Sequence, residues 1–415
     1  MRALVWLLLL AACAILAATL LGRNDHLVTI YWAPWRLDLS FNLFLVGLIA
    51  FCGLLYALLR ALGLLVDLPQ RAREWRISRR DRIAQSALRE ALAQYFGGRW
   101  ARAEKAAQRA VAIQSDTPEL KQDAEFAVLG HLLAAGSLHR LQDRARRDRE
   151  LALSLDWAGR SPTARAAGEG ARLLAAEWAL EDRDALRALE LIEQLPPGVA
   201  RRTQALRLKL QATRLAREPI EALKTARLLA KHQAFSPGAA QGLLRTLAVD
   251  AIAGARDADQ LRAVWREFDP ADRRDVIVAT RASAQLLALG APEEARAWLR
   301  PFWERITELP REERDALAIA LARATRGIPA DWLPRLEAAQ LARPQEGALA
   351  WAMARALLAR EIWGKASQFL QQAADSQDLD TALRREAWLE LATLAERERD
   401  DATAARCYRA AACVR

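Results

Sequence analysis

Two stretches near the start of this 415-residue chain carry no charge for about twenty residues each, unlike the sequence after them. Ala3 to Gly22 is apolar apart from Thr19, and Phe41 to Leu59 has Asn42 as its only strongly polar residue. Twenty helical residues rise about 30 Å, the thickness of a bilayer's hydrocarbon layer. Residues 1–60 are therefore predicted to form a transmembrane helical hairpin, with helices at about 3–22 and 41–59. The segment between them, Arg23 to Ser40, carries Tyr31, Trp32 and Trp35, aromatics suited to a membrane interface. That segment has two basic residues, Arg23 and Arg36, offset by Asp25 and Asp38. The second run is followed by Arg60, Arg71, Arg73, Arg76, Arg79, Arg80 and Arg82. Positive charge stays on the cytoplasmic side, so both termini are expected there and the linker outside. Leu10-Ala11-Ala12-Cys13 resembles a lipoprotein cleavage site, but the apolar run continues to Leu21, which favours a membrane helix. Segment 61–82, with Arg71, Arg73, Arg76, Arg79, Arg80 and Arg82, reads as a basic juxtamembrane stretch facing anionic lipid, worth about 1 kcal/mol per charge. Trp75 is its lone aromatic, so nucleic acid is not an expected partner.

From 83 to 415 the chain changes character. Apolar residues recur at three- and four-residue spacings, with breaks at Gly, Pro or Asp. At 53% hydrophobic and 27% charged residues, the chain is too charged for a polytopic transporter and too apolar for disorder. Nineteen glycines and fifteen prolines argue against an all-β fold, and four cysteines against a disulfide scaffold. The net charge of +10 is arginine-made, since lysine supplies six of the 61 basic residues.

The breaks align into a repeat. In the clearest copy, Ala87 to Pro118, a turn at Gly98-Arg99-Trp100 precedes Ala103, Ala107 and Ala110. Gly allows a tight turn, the aromatic packs over it, and small residues let helices approach. A second copy has Trp363, Ala366, Leu370 and Ala373. A third has Trp388, Leu391 and Ala392 on one helix and Ala404, Tyr408 and Ala411 on the next. Weaker copies lie around Gly136-Ser137-Leu138, Asp182 to Ala188, Glu218 to Leu223, Ala258 to Val264 and Gly290 to Ala295. The unit resembles the 34-residue tetratricopeptide repeat. The predicted fold class is all-α: a transmembrane hairpin, then a tetratricopeptide-type α-solenoid of about nine helix pairs. Gly98, Trp100, Ala103, Ala110, Trp363, Ala366, Trp388 and Tyr408 are assigned to repeat packing. Trp178, Trp265, Trp298, Trp303, Trp332 and Trp351 fit either packing or binding.

Specific catalytic patterns are missing from the sequence. Gly168-Glu169-Gly170 follows no strand and has no third glycine in place, so it is not a dinucleotide fingerprint. There is no phosphate-cradling loop with a lysine and no G-x-S-x-G. Cys407 and Cys413 lack the spacing of a metal knuckle. His131 and His139, about two helical turns apart, read as ordinary surface residues, and otherwise as weak candidates for haem ligation.

The order of parts carries a resemblance. A hairpin starts the chain, and its loop reads His26-Leu27-Val28-Thr29-Ile30-Tyr31-Trp32. Then come Leu68-Pro69-Gln70-Arg71, an arginine-rich stretch, and Gly98-Arg99-Trp100-Ala101-Arg102-Ala103. This resembles the HemY family of proteobacterial inner-membrane proteins, most strongly over residues 1 to about 115. The flavin-dependent protoporphyrinogen oxidase that shares the name would need an N-terminal dinucleotide fold, which this sequence lacks. The resemblance implies a two-span protein of the bacterial inner membrane with a role in late haem synthesis and no established catalytic activity. The expected function is a membrane-tethered scaffold or regulator gathering enzymes such as ferrochelatase and protoporphyrinogen oxidase, with no cofactor required. A direct haem or porphyrin carrier and a general envelope-assembly adaptor are the alternatives.

Overall fold

The computed structural model describes residues 26–414. The predicted first membrane helix, 3–22, and Cys13 lie outside these residues. The chain divides into two compact units, residues 1–161 and 162–415.

The first unit opens with strands, where sequence reading expected an irregular loop. β1 (Leu27–Trp32) pairs antiparallel with β2 (Trp35–Ser40), in register from Leu27 opposite Ser40 to Trp32 opposite Trp35. The all-α expectation is corrected here: β-branched and aromatic residues on either side of an Ala33-Pro34 turn favour a pleated pair. Thr29 donates to Asp38 at 2.7 Å across the ladder. The aromatic side chains of Tyr31, Trp32 and Trp35 are exposed.

Ser40 then caps α1 (Phe41–Phe96), a helix of 56 residues. Its first part, Phe41–Leu62, has a mean hydropathy of 2.3 and no buried residues, and is long and apolar enough to cross a membrane. The sequence suggested a span ending at Leu59 and a separate basic segment. Instead the helix runs through Pro69 and the arginines into the first repeat, because Arg, Ala and Leu are all strong helix formers. α2 (Trp100–Ser115), α3 (Ala124–Arg140) and α4 (Arg144–Arg160) complete the unit, each packed on its predecessor. Gly130 makes one contact tight: a Cβ there would meet Val111 Cγ2 at 2.4 Å.

The second unit holds seven helix pairs. They are α5 (Arg165–Glu181) with α6 (Ala185–Glu193), α7 (Thr203–Leu215) with α8 (Pro219–Lys231), and α9 (Pro237–Ala253) with α10 (Ala258–Glu267). Next come α11 (Val276–Ala288) with α12 (Pro292–Trp303) and α13 (Arg311–Arg323) with α14 (Leu333–Ala342). The last are α15 (Gly347–Ala359) with α16 (Trp363–Asp375) and α17 (Thr381–Arg397) with α18 (Asp401–Cys413). With the two pairs of the first unit, this makes nine among the described residues. Packing is mainly between sequence neighbours, as in stacked repeats.

One turn geometry recurs inside seven of the helix pairs. Gly98, Gln142, Arg183, Arg217, Gly290, Glu361 and Arg399 all have positive φ. In each case the next residue's N–H donates to a carbonyl five residues back, at 2.8–3.0 Å, closing the helix as a Schellman turn. Asp143, Asp184 and Asp400 then cap the following helix. Five residues past the positive-φ position sits a buried alanine: Ala103, Ala188, Ala222, Ala295, Ala366 and Ala404. Arg147 is the exception, a buried arginine. The weak copy placed at Gly136-Ser137-Leu138 is corrected: those residues are buried inside α3, and the turn falls at Gln142. Ser137 donates to the Leu133 carbonyl, so the helix itself satisfies its hydroxyl.

Candidate functional site in the membrane-proximal repeats

The buried face of α2 is built from small residues, with Ala103, Ala107 and Ala110 all fully buried. Helices close enough to bury alanines leave little room for polar side chains, yet a polar cluster joins α2, α3 and α4. Glu104, 4% exposed, pairs with Arg146. Gln108 donates to Glu150 at 3.1 Å, and His131 Nδ1 lies 2.7 Å from the other oxygen of the same carboxylate. Burial opposes ionisation of Glu150. The hydrogen bonds of His131 and Gln108 and nearby positive charge outweigh it and hold the carboxyl below its ordinary range. His139 is buried, with Nδ1 3.2 Å from Arg147 Nη1. A guanidinium can only donate, so this imidazole nitrogen accepts. Arg147 also donates to Asp148 at 2.8 Å.

Both histidines turn toward α4, consistent with a shared face. The surface reading of these residues is corrected: each is held against a partner on α4, His131 against Glu150 and the buried His139 against Arg147. An axial ligand to haem would have to use Nε2, since Nδ1 is engaged in both rings. Neither histidine lines the two clefts that flank α1 beyond the span.

Those clefts belong to the arginines. Arg73 donates two bonds to Glu119, at 2.6 and 3.2 Å, and Arg80 donates to Thr117 Oγ1 at 3.3 Å. The Glu119 carboxyl is held below its usual range chiefly by the Arg73 bond. Arg76 bonds back to the Ala72 carbonyl and Arg82 to that of Ser78. Arg79 lies over the Trp75 ring, 5.3 Å from its centre. Arg71 is exposed on the same helix.

The remaining predicted packing residues divide. Gly98 takes φ +71° in the first turn, and Ala366 is fully buried. Trp363 and Trp388 are half-buried against the core of the second unit, and Arg397 covers Trp363 at 4.3 Å. Trp100 is 36% exposed beside its turn, and Tyr408 is 42% exposed, donating to Glu396 at 3.0 Å. Of the six open tryptophans, Trp178, Trp303, Trp332 and Trp351 are buried, while Trp265 and Trp298 stack at 4.5 Å.

In the second unit, ion pairs missed in the sequence tie one helix pair to the next. The buried Arg314 holds the half-buried Glu346 by two bonds at 3.1 and 2.5 Å. Arg245 bridges Asp275 at 2.5 Å and Glu313 at 2.8 Å. Partners 30 to 68 residues apart in sequence gave no signal beyond the abundance of both charges. A groove of about 770 Å³ opens between α7–α8 and α9–α10, with Ile220, Leu247 and Val264 in its wall and Arg214, Arg217, Asp250 and Glu267 around it. Among the described residues no group of three or more His, Cys, Asp or Glu could hold a metal ion.

Nine helix pairs, seven of them joined by a Schellman turn that a buried alanine follows in six cases, define a tetratricopeptide-type repeat protein, here continuous with a membrane-length apolar helix. Residues 27–140 match the family described as HemY protein N-terminus. A search of curated proteins finds no match. Similar solved structures include the APC/C hetero-tetramer Cut9-Hcn1, at 14% identity and TM-score 0.30 over 78% of this chain and 64% of that one. Naa15/Naa10 bound to HypK-THB is 15% identical, with TM-score 0.26, over 76% of this chain and 56% of that one. The P58(IPK) TPR domain is 12% identical, with TM-score 0.25, over 76% of this chain and 99% of that one. The chain thus spans less than two thirds of the first two.

Proposed function

We propose that this protein is a membrane-tethered scaffold or regulator of late haem biosynthesis, acting on the steps from protoporphyrin to protohaem. It anchors by a two-span hairpin, 3–22 and 41–59, with both termini in the cytoplasm of a bacterium. Its repeats gather pathway enzymes such as ferrochelatase and protoporphyrinogen oxidase. One observation carries the tethering: α1 passes without a break from an apolar, unburied span into the first repeat, inside the segment that matches the family. The apolar span and the first repeat share one helix there. The groove beside α8 and α10, apolar within and charged around, suits a protein segment better than a reaction centre. The pathway follows from the family alone.

The test is purification of tagged protein from native membranes after brief crosslinking, followed by mass spectrometry. Late haem enzymes should be enriched, and a deletion strain should show altered porphyrin and haem levels. Envelope-assembly factors in their place, with porphyrins unchanged, would overturn the proposal in favour of an adaptor. A haem or porphyrin carrier is the less favoured reading, because His131 and His139 already bond within the fold. A saturable Soret shift on haem titration of the wild type, lost in His131→Ala or His139→Ala, would restore it.

A further inference from the structure

The hairpin that precedes α1 has two unlike faces. Side chains alternate along a strand, and cross-strand partners share a side. The register therefore puts Val28 with Leu39, Ile30 with Leu37 and Trp32 with Trp35 on one face, an apolar ladder closed by two indoles. The other face carries Leu27 with Ser40, Thr29 with Asp38 and Tyr31 with Arg36. Its polar groups are joined: Thr29 donates to Asp38, Arg36 lies 3.3 Å from the same carboxylate, and its guanidinium stands over the Tyr31 ring. The apolar face is bare toward its tip, with Trp32 78% and Trp35 74% exposed. An isolated two-stranded hairpin is marginal in water, so such a face calls for a covering surface.

The place of the hairpin chooses that surface. β2 ends at Ser40 and α1 starts at Phe41, whose N–H donates to the His26 carbonyl at 2.9 Å, so both strands are held at the N-terminal end of the helix. The apolar span Phe41–Leu62 rises about 33 Å, slightly more than the hydrocarbon layer, which puts the base of the hairpin at the headgroup boundary. Each six-residue strand reaches about 20 Å. Standing upright, the hairpin would carry two bare indoles that far into water. Lying flat, it keeps every apolar pair in the boundary layer that indoles favour. Its outer edges are unpaired, since the sheet has two strands among the described residues. Such edges are excluded from hydrocarbon but are satisfied among hydrated headgroups.

We infer that the hairpin is an interfacial anchor. It lies flat on the bilayer where the span begins, with Val28, Ile30, Trp32, Trp35, Leu37 and Leu39 against the first acyl carbons and Thr29, Arg36 and Asp38 toward water. Arg36 and Asp38 are the only charges in residues 27–40 and they cancel, so burial of apolar area drives the contact and anionic lipid is not required. The inference rests on residues 41–62 spanning the bilayer, as the proposed function also does.

In the full chain, Cys13, Cys52, Cys407 and Cys413 are replaced by serine and single cysteines are introduced. Ile30→Cys and Leu37→Cys report the apolar face, Thr29→Cys and Tyr31→Cys the polar face, and Leu54→Cys the middle of the span. Each carries an environment-sensitive fluorophore, and the chains are reconstituted into phosphatidylcholine vesicles with or without bromine on the acyl chains. Labels at 30 and 37 should emit to the blue and lose intensity to the brominated lipid, and labels at 29 and 31 should do neither. Val28→Cys and Leu39→Cys read the same apolar face nearer its base if a label at 30 or 37 opens the strand pair. Equal quenching on both faces, or on neither, would overturn the anchor. So would a blue shift at 30 and 37 without quenching, which would mean that a second copy of the chain covers the face. Quenching at position 54 tests the span by itself. If 54 is quenched while 30 and 37 are not, the anchor alone is wrong; if 54 is unquenched, the membrane reading falls as well.

Discussion

At Gly130 a single methyl group is at stake. α2 and α3 approach so closely that an added Cβ meets Val111 Cγ2, and a β-branched side chain has little rotamer freedom with which to yield. Gly130→Ala should destabilise the first unit by about 1–3 kcal/mol in denaturant unfolding, and Val111→Ala in the same chain should recover most of it. Glu150 makes a pH prediction. Its carboxyl is held below the ordinary 4.5, so its contribution is present above that pH and is lost as pH falls through the folded value. Glu150→Gln should therefore lower stability at pH 7 and narrow the gap to wild type below about pH 4.5, read from unfolding midpoints at both pH values. At this scale the sequence was only partly legible. Ala103, Ala366 and Ala404 announced their burial by spacing from a turn. Arg147 did not, because nothing local says that an arginine occupies an alanine's place; its contact with the buried His139, eight residues back, appears only in the fold.

At the scale of elements, the seven Schellman turns inside helix pairs show why the repeats were visible unevenly. Gly98 and Gly290 advertise a left-handed residue, while Gln142, Arg183, Arg217, Glu361 and Arg399 adopt the same conformation without glycine. That is how the weak copy slipped from Gln142 to Gly136-Ser137-Leu138, where glycine and serine look like a break but lie buried in α3. Replacing one strained residue should help: Arg399→Gly should stabilise the last helix pair by up to about 1 kcal/mol, and slow hydrogen exchange in α18 would report it. The strands at 27–40 were missed for a different reason. Interfacial aromatics and β-formers are the same residue types, and a membrane reading absorbed the signal that the paired register at Trp32 and Trp35 makes plain.

At the scale of the whole molecule, orientation is the open proposal with a direct check. Cys413 is exposed near the C-terminus. With that end in the cytoplasm, a membrane-impermeant maleimide should leave Cys413 unlabelled in intact cells and label it after lysis; equal labelling in both would place the repeats outside. The charge asymmetry that suggested this orientation was readable from the arginines alone. What the sequence could not supply was continuity. A run of arginines after an apolar segment looks like a boundary, and α1 crosses it as one helix. From Leu62 to Phe96 that helix rises about 50 Å. With residues 41–62 in a bilayer, as proposed, the first repeats are held in a shallow layer over the membrane instead of roaming the whole cell volume. Their encounters with membrane-bound partners then become searches in two dimensions.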